Sequence, residues 1–234
     1  MPRPKIVLAT PSAGTWKAKM GACTVEMAAT AASAGIEIEM IGAEGAYTET
    51  NRNRIVQRVL AMAEPPAGIM WVDSDMQFPR HSLLGLLSRQ KDIIGATYRE
   101  RQAPHRYLGC FVDDDDARAL EGGVQPMSRM PGGMILVRTE VYRRLSPPWY
   151  RLDEDGWRDD YAFCVAAIAA GYEVWCDMDL TKHVIHRGEQ EVGWFEEEEI
   201  PIRRGAEDRV RKIPPRTGSA EPGGGFALSA LENV

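Results

Sequence analysis

The chain has 234 residues, 44% hydrophobic and 26% charged, which is an ordinary globular composition for one domain with a substantial core. No apolar run approaches the ~20 residues that a bilayer span needs. A net charge of -6 and a pI of about 5.4 argue against nucleic-acid binding through a general basic field. The widely spaced Cys23, Cys110, Cys164 and Cys176, with no CxxC pair, argue against a zinc knuckle or disulfide framework.

In chain order, Lys5 to Thr10 (KIVLAT) reads as a buried strand ending at Thr10-Pro11. Its apolar run turns straight into polar sequence without a small-residue cleavage site. That predicts a first strand rather than a signal peptide, and a soluble, cytoplasmic protein. Lys17 to Ala34 has Met20, Cys23, Met27 and Ala31 at helical spacing, and Gly35 stops it. Ile36 to Ile41 alternates as a half-exposed strand does. Thr50 to Met62 is an amphipathic helix with Ile55, Val59 and Met62 on one face. Gly68 to Val72 (GIMWV) is a third buried strand, delivering Asp73-Ser74-Asp75.

Strand, helix, strand, helix, strand predicts parallel strands with crossover helices, and a ligand cleft beyond their carboxyl ends. A helix over Pro79 to Arg89 and strands over Asp92 to Tyr98, around Tyr107 to Val112 and over Gly133 to Arg138 follow. Then come a helix through Leu145, a Pro-Pro break at Pro147, a helix over Asp159 to Ala170 and a strand over Tyr172 to Cys176. Beyond Gly188 the chain turns acidic, then Pro-, Gly- and Arg-rich. Gly205 to Val234 reads as a flexible tail, with the folded domain expected over 1–200 and the tail over 201–234. No internal repeat is present.

The strongest local chemistry is Asp73-Ser74-Asp75. Two carboxylates two residues apart at a strand end can hold a hard divalent cation, Mn²⁺ or Mg²⁺, and through it a diphosphate. A second group comprises Asp159-Asp160-Tyr161-Ala162-Phe163-Cys164, then Asp179-Leu180-Thr181-Lys182-His183-Val184-Ile185-His186-Arg187-Gly188. Taken alone, the Asp pair reads as a helix N-cap and the histidines as ordinary ones. Tyr98, Arg99 and Arg101 follow a strand end and could meet phosphate. Trp149, Tyr150, Trp157 and Trp194 could stack on a sugar or base, although core packing is the commoner use of Trp. Asp113 to Asp116 and Glu196 to Glu199 read as solvated acidic turns.

Taken together, VDSDMQFP, Asn51-Arg52-Asn53-Arg54, Gly132-Gly133-Met134-Ile135-Leu136-Val137, Pro148-Trp149-Tyr150, Asp159 to Cys164 with Gly171, and DLTKHVIHRG form an ordered set over roughly residues 4 to 190. In that set the chain resembles GT-A-fold glycosyltransferases, family-2-like, and in particular small phage-encoded members. The resemblance implies a single Rossmann-like α/β domain with a mixed, mostly parallel sheet flanked by helices. It implies Asp75 as direct metal ligand, Asp73 towards ribose or metal, and His186 as the further ligand. It places Thr10, Pro11, Arg52, Asn53, Ser74 and Gly133 in the nucleotide-sugar pocket. It puts Asp160 beside the acceptor, the place of the catalytic base in inverting relatives, with Asp159 its neighbour.

Two departures stand out. The family's Glu-Asp is Asp159-Asp160 here, and His183 stands where a carboxylate is common. Which histidine reaches the metal is therefore open, with the x-Gly spacing pointing to His186. The implied reaction is transfer of a hexosyl or pentosyl group from a nucleoside-diphosphate sugar to an acceptor hydroxyl, on a glycan or a modified phage DNA base. The rivals are a non-catalytic nucleotide-sugar-binding module and a sugar-phosphate nucleotidyltransferase. ATPSAG is a poor match to the phosphate loop that the latter requires.

Overall fold

Apolar alternation along the strands and three-to-four spacing along the helices sort the side chains onto the two faces of one sheet. The computed structural model describes residues 3–100, 106–113, 121–152, 158–187 and the backbone of 191–192. Its elements run β1 (Lys5–Ser12), α1 (Ala18–Ser33), β2 (Glu37–Glu44), α2 (Thr48–Leu60), β3 (Gly68–Val72), β4 (Met76–Gln77), α3 (Ser82–Ser88), β5 (Ile93–Gly95) and β6 (Cys110–Phe111). They continue with β7 (Val124–Arg129), β8 (Met134–Arg138), α4 (Thr139–Arg144), α5 (Asp159–Ala169), β9 (Val174–Asp177), α6 (Met178–Thr181), β10 (Ile185–Arg187) and β11 (Glu191–Val192).

Among the described residues the main sheet has eight strands in the order β2-β1-β3-β8-β5-β9-β7-β6. β1 pairs in parallel with β2 and β3, and β5 with β9, while β8 runs antiparallel between β3 and β5. β7 and β6 extend the sheet antiparallel. The expected α/β sheet flanked by helices is therefore present, mixed in direction. Residues 201–234, read as a tail, lie outside the described residues.

On one face Val7, Ala9, Ile69, Trp71, Ile135 and Val137 pack under Ile55, Val56 and Val59 of α2, Val141 and Tyr142 of α4, and Phe163 of α5. On the other, Ile6, Leu8, Met70, Leu136 and Ile94 meet Met20, Met27 and Ala31 of α1 and Leu83 and Leu86 of α3. Each strand thus contributes alternate residues to the two faces, as its pleat requires. Among the described residues no helix is long and apolar enough to cross a membrane. All four cysteines are free.

β1 runs past the expected stop at Thr10, through Pro11 to Ser12. Its pairing with β3 ends at Ala9, so Pro11 has only β2 as a strand neighbour. A residue without an N–H is tolerated where a ladder is open on one side. Beyond Ala9 and Trp71, β1 and β3 no longer pair, and the Asp73 turn begins there.

A second, three-stranded sheet, β11-β10-β4, stands at this same end. β4 follows the Asp73–Asp75 turn directly and pairs antiparallel with β10, placing His186 opposite Met76.

The core beneath the turn is polar-locked. Trp71 Nε1 donates to the Tyr142 hydroxyl at 2.7 Å, and that hydroxyl shares a second 2.7 Å bond with the Tyr150 hydroxyl. Replacing Tyr142 with Phe leaves the indole N–H buried without its acceptor. The expected cost is about 2 kcal/mol, read as a lower urea midpoint at unchanged m-value.

Candidate active site

The Asp73–Asp75 turn is held from three sides. Asp73 N donates to Gly133 O at 3.0 Å, Lys17 N to Ser74 O at 3.0 Å, and Arg187 N to Asp75 O at 2.8 Å. The loop before β8, the start of α1 and β10 therefore share the turn. Its two carboxylates take different partners.

Asp75 faces His186, with Oδ2 3.4 Å from Nε2. The other ring nitrogen, Nδ1, lies 3.0 Å from the Arg99 carbonyl oxygen. A carbonyl only accepts, so Nδ1 carries the proton and donates. In the neutral ring, Nε2 then presents its lone pair to a carboxylate. Two electron-rich atoms so placed suit a shared proton or a shared cation. A histidine that donates its far N–H to a backbone carbonyl is the usual arrangement of a metal ligand. The Tyr98 ring packs edge-on against the imidazole at 4.9 Å and further fixes its plane. His183 is exposed on the turn after α6. Among the described residues no group of three or more His, Cys, Asp or Glu is gathered to hold a metal. Asp75 and His186 stand as a pair.

Asp73 faces Arg52. The guanidinium Nη2 donates to Asp73 Oδ1 at 3.0 Å, and Nε lies 3.6 Å from Asp159 Oδ2. Arg52 is only 2% exposed, and its guanidinium carbon sits 5.7 Å from the Trp71 ring centre and 5.4 Å from that of Tyr150. Burial works to lower its pKa, but Asp73, Asp159 and Asp160 outweigh burial and raise it, so the charge is permanent. A side chain on Gly132 would overlap Arg52 Nη1, and one on Gly133 would overlap the Tyr98 hydroxyl. Both glycines are there for close approach.

Asp160, in the first turn of α5, accepts from Gly132 N at 2.8 Å. Burial, with Asp159 and Asp73 adding to it, raises its pKa to about 6 against the opposing pull of Arg52 and the Gly132 N–H. The Tyr98 hydroxyl accepts from Gly133 N at 3.0 Å. Burial keeps that phenol protonated by pushing its pKa well above 10.0.

The structure thus brings together Asp73, Asp75, Asp159, Asp160, Gly133, Arg52 and His186. Ser74 lies in the same turn. Thr10 and Pro11 are buried within β1. Asn53 accepts from the Trp149 and Tyr150 amides at 3.0 and 3.1 Å and donates to Tyr150 O at 2.6 Å, fastening α2 to the loop after α4. Trp149 and Tyr150 belong to the core rather than to an open stacking wall. Arg101, Trp157, Trp194 and Glu196 to Glu199 lie outside the described residues. The sequence offered Tyr98 as a phosphate contact and Gly132 as a motif residue, but gave neither its observed part, the Tyr98 hydroxyl on the Gly133 amide and Gly132 beside Arg52 and Asp160. Only contact with the site reveals them. Arg52 did carry a signal, because it precedes Ile55, Val56 and Val59 at helical spacing, on the apolar stripe of α2.

The chain is similar in fold to the crystal structure of A197 from STIV, with a TM-score of 0.56 and 11% identity, covering 82% of this chain and 95% of that one. The likeness is one of fold. No protein-family model matches the chain, and no curated protein is similar to it.

The Asp160 shift carries a sign. Its folded pKa, about 6, lies above the ordinary 3.8, so the folded state binds the proton more tightly than the unfolded chain. This contribution stabilises at low pH and is lost as pH rises through about 6. Asp160→Asn is expected to gain stability relative to wild type as pH climbs through that window, read from urea unfolding at a series of pH values. Parallel curves for the two proteins would refute the shift.

Proposed function

We propose that the protein is a metal-dependent glycosyltransferase that moves a sugar from a nucleoside-diphosphate sugar to an acceptor hydroxyl. The acceptor is a glycan or a modified DNA base. The observation that carries this reading is the His186 ring, held by the Arg99 carbonyl with Nε2 facing Asp75. One carboxylate and one imidazole would suit Mn²⁺, and less well the oxygen-preferring Mg²⁺, and would leave positions for the donor's phosphates. A cation bound there supplies positive charge to the departing diphosphate.

The chain's own residues do the rest. Asp160, with a pKa raised to about 6, is mainly ionised at neutral pH yet remains basic enough to accept the acceptor's proton. In the inverting form of the reaction, the bond between the anomeric carbon and the diphosphate oxygen breaks, a bond to the acceptor oxygen forms, and the hydroxyl proton passes to Asp160. The parting of β1 and β3 beyond Ala9 and Trp71 supports a ligand cleft at the carboxyl ends of these parallel strands. Gly132 and Gly133 let the β8 loop lie close against it.

The test is nucleoside-diphosphate release from a panel of nucleotide sugars with Mn²⁺, Mg²⁺ or EDTA. Release is expected to need the metal. It should fall about 100-fold or more in Asp75→Ala and in His186→Ala, as losing one preorganised charge-stabilising contact does. Release untouched by either substitution would sink the assigned pair. Metal-dependent binding of one donor, with no release in the presence of any acceptor, would favour the non-catalytic binding module.

A further inference from the structure

Arg52 has no part in the chemistry described so far, yet it is the most deeply buried charge at the site. Its resemblance-based place is in the nucleotide pocket. At 2% exposure, its guanidinium meets aromatic rings, carboxylates and a glycine backbone rather than open cleft. Its partners come from separate elements: Asp73 from the end of β3 and Asp159 from the start of α5. Asn53, the next residue, fastens the same turn of α2 to the loop after α4.

We infer that Arg52 is a positioning residue, whose buried guanidinium holds the Asp73 turn and the Asp159–Asp160 helix start at one fixed spacing, with Gly132 as the gap that admits it. Three acids converge there, and without the cation they would repel one another in a poorly solvated site. A planar fork can serve Asp73 and Asp159 together. An ammonium is a point charge and cannot span both.

The consequence reaches Asp160. Its neighbours are Arg52 from α2, Asp73 from the end of β3, Tyr98 from the stretch after β5, the Gly132 amide from the loop before β8, and Asp159, Tyr161 (whose N–H donates to Oδ1) and Cys164 on its own helix. Arg52 is the cation named among them, so its removal leaves burial and the acids to push the Asp160 proton affinity higher.

The experiment compares wild type, Arg52→Met and Arg52→Lys, with near-UV circular dichroism to establish folding. Asp160 is titrated by carboxyl ¹³C NMR without donor or metal, and kcat and donor KM are measured where a donor is turned over. In Arg52→Met the Asp160 midpoint is expected to rise by about one unit or more. Its kcat at neutral pH should fall roughly 100-fold, with donor KM within about threefold of wild type. Arg52→Lys is expected to keep the midpoint near the wild-type value while losing roughly tenfold in kcat.

A folded Arg52→Met protein with an unmoved Asp160 midpoint overturns the inference. So does a rise in donor KM at unchanged kcat, which would return Arg52 to the nucleotide pocket. If Arg52→Met does not fold, Arg52→Lys decides, and full kcat in that variant is fatal. The kinetic arm rests on Asp160 acting as the base of a transferase. The NMR arm does not, so a wild type that turns over no donor defeats the proposed function while the titration still judges Arg52.

Discussion

One buried guanidinium organises this site. Arg52 enters from α2 through the apolar stripe of its helix and reaches a place where the sheet's strands part. There it meets acids from two other elements. A buried charge is tolerated only when paired, and the pairing works in both directions. The acids keep the arginine charged, and the arginine allows acids to gather in a site with little water. Trp71 and Tyr150 flank the guanidinium, so the same rings that fill the core also set where the charge lies.

The rest of the site is built by division of labour around that pair. The two acids of the Asp-Ser-Asp turn are separated by partner: Asp73 faces the buried Arg52 guanidinium, and Asp75 faces the imidazole of His186. Backbone groups supply the remaining order. The Arg99 carbonyl fixes the histidine tautomer, and the Gly132 and Gly133 amides fix Asp160 and Tyr98. All of these contacts are made within the folded chain itself.

The first five elements were legible in the sequence because they are long and periodic. Met20, Met27 and Ala31 mark one face of α1, and GIMWV has the length of a buried strand. What escaped is short or defined by partners. β4, β10 and β11 have two or three residues each and exist only as pairings with one another. β7 carries Pro126 and mixed polar residues, and takes its extended form from β9 and β6 beside it. Within the site, the Asp73, Asp75, Asp160 and His186 positions were visible as motif residues. The interior setting of Arg52 and the clamp made by Asn53 were not, because charge and amide side chains on a helix are read as solvated until tertiary contacts say otherwise. The spacing of Arg52 with Ile55, Val56 and Val59 was the one clue available.

The pairing of β10 with β4 also governs how the site comes into being. The acidic turn belongs to the part of the chain synthesised first, whereas its histidine belongs to a strand that follows the last helix of the described fold. During synthesis, the early βαβ units can collapse long before that strand emerges. A nascent or truncated chain lacking β10 would carry the Asp-Ser-Asp turn without its imidazole. Completion of the site thus serves as a marker of completed folding.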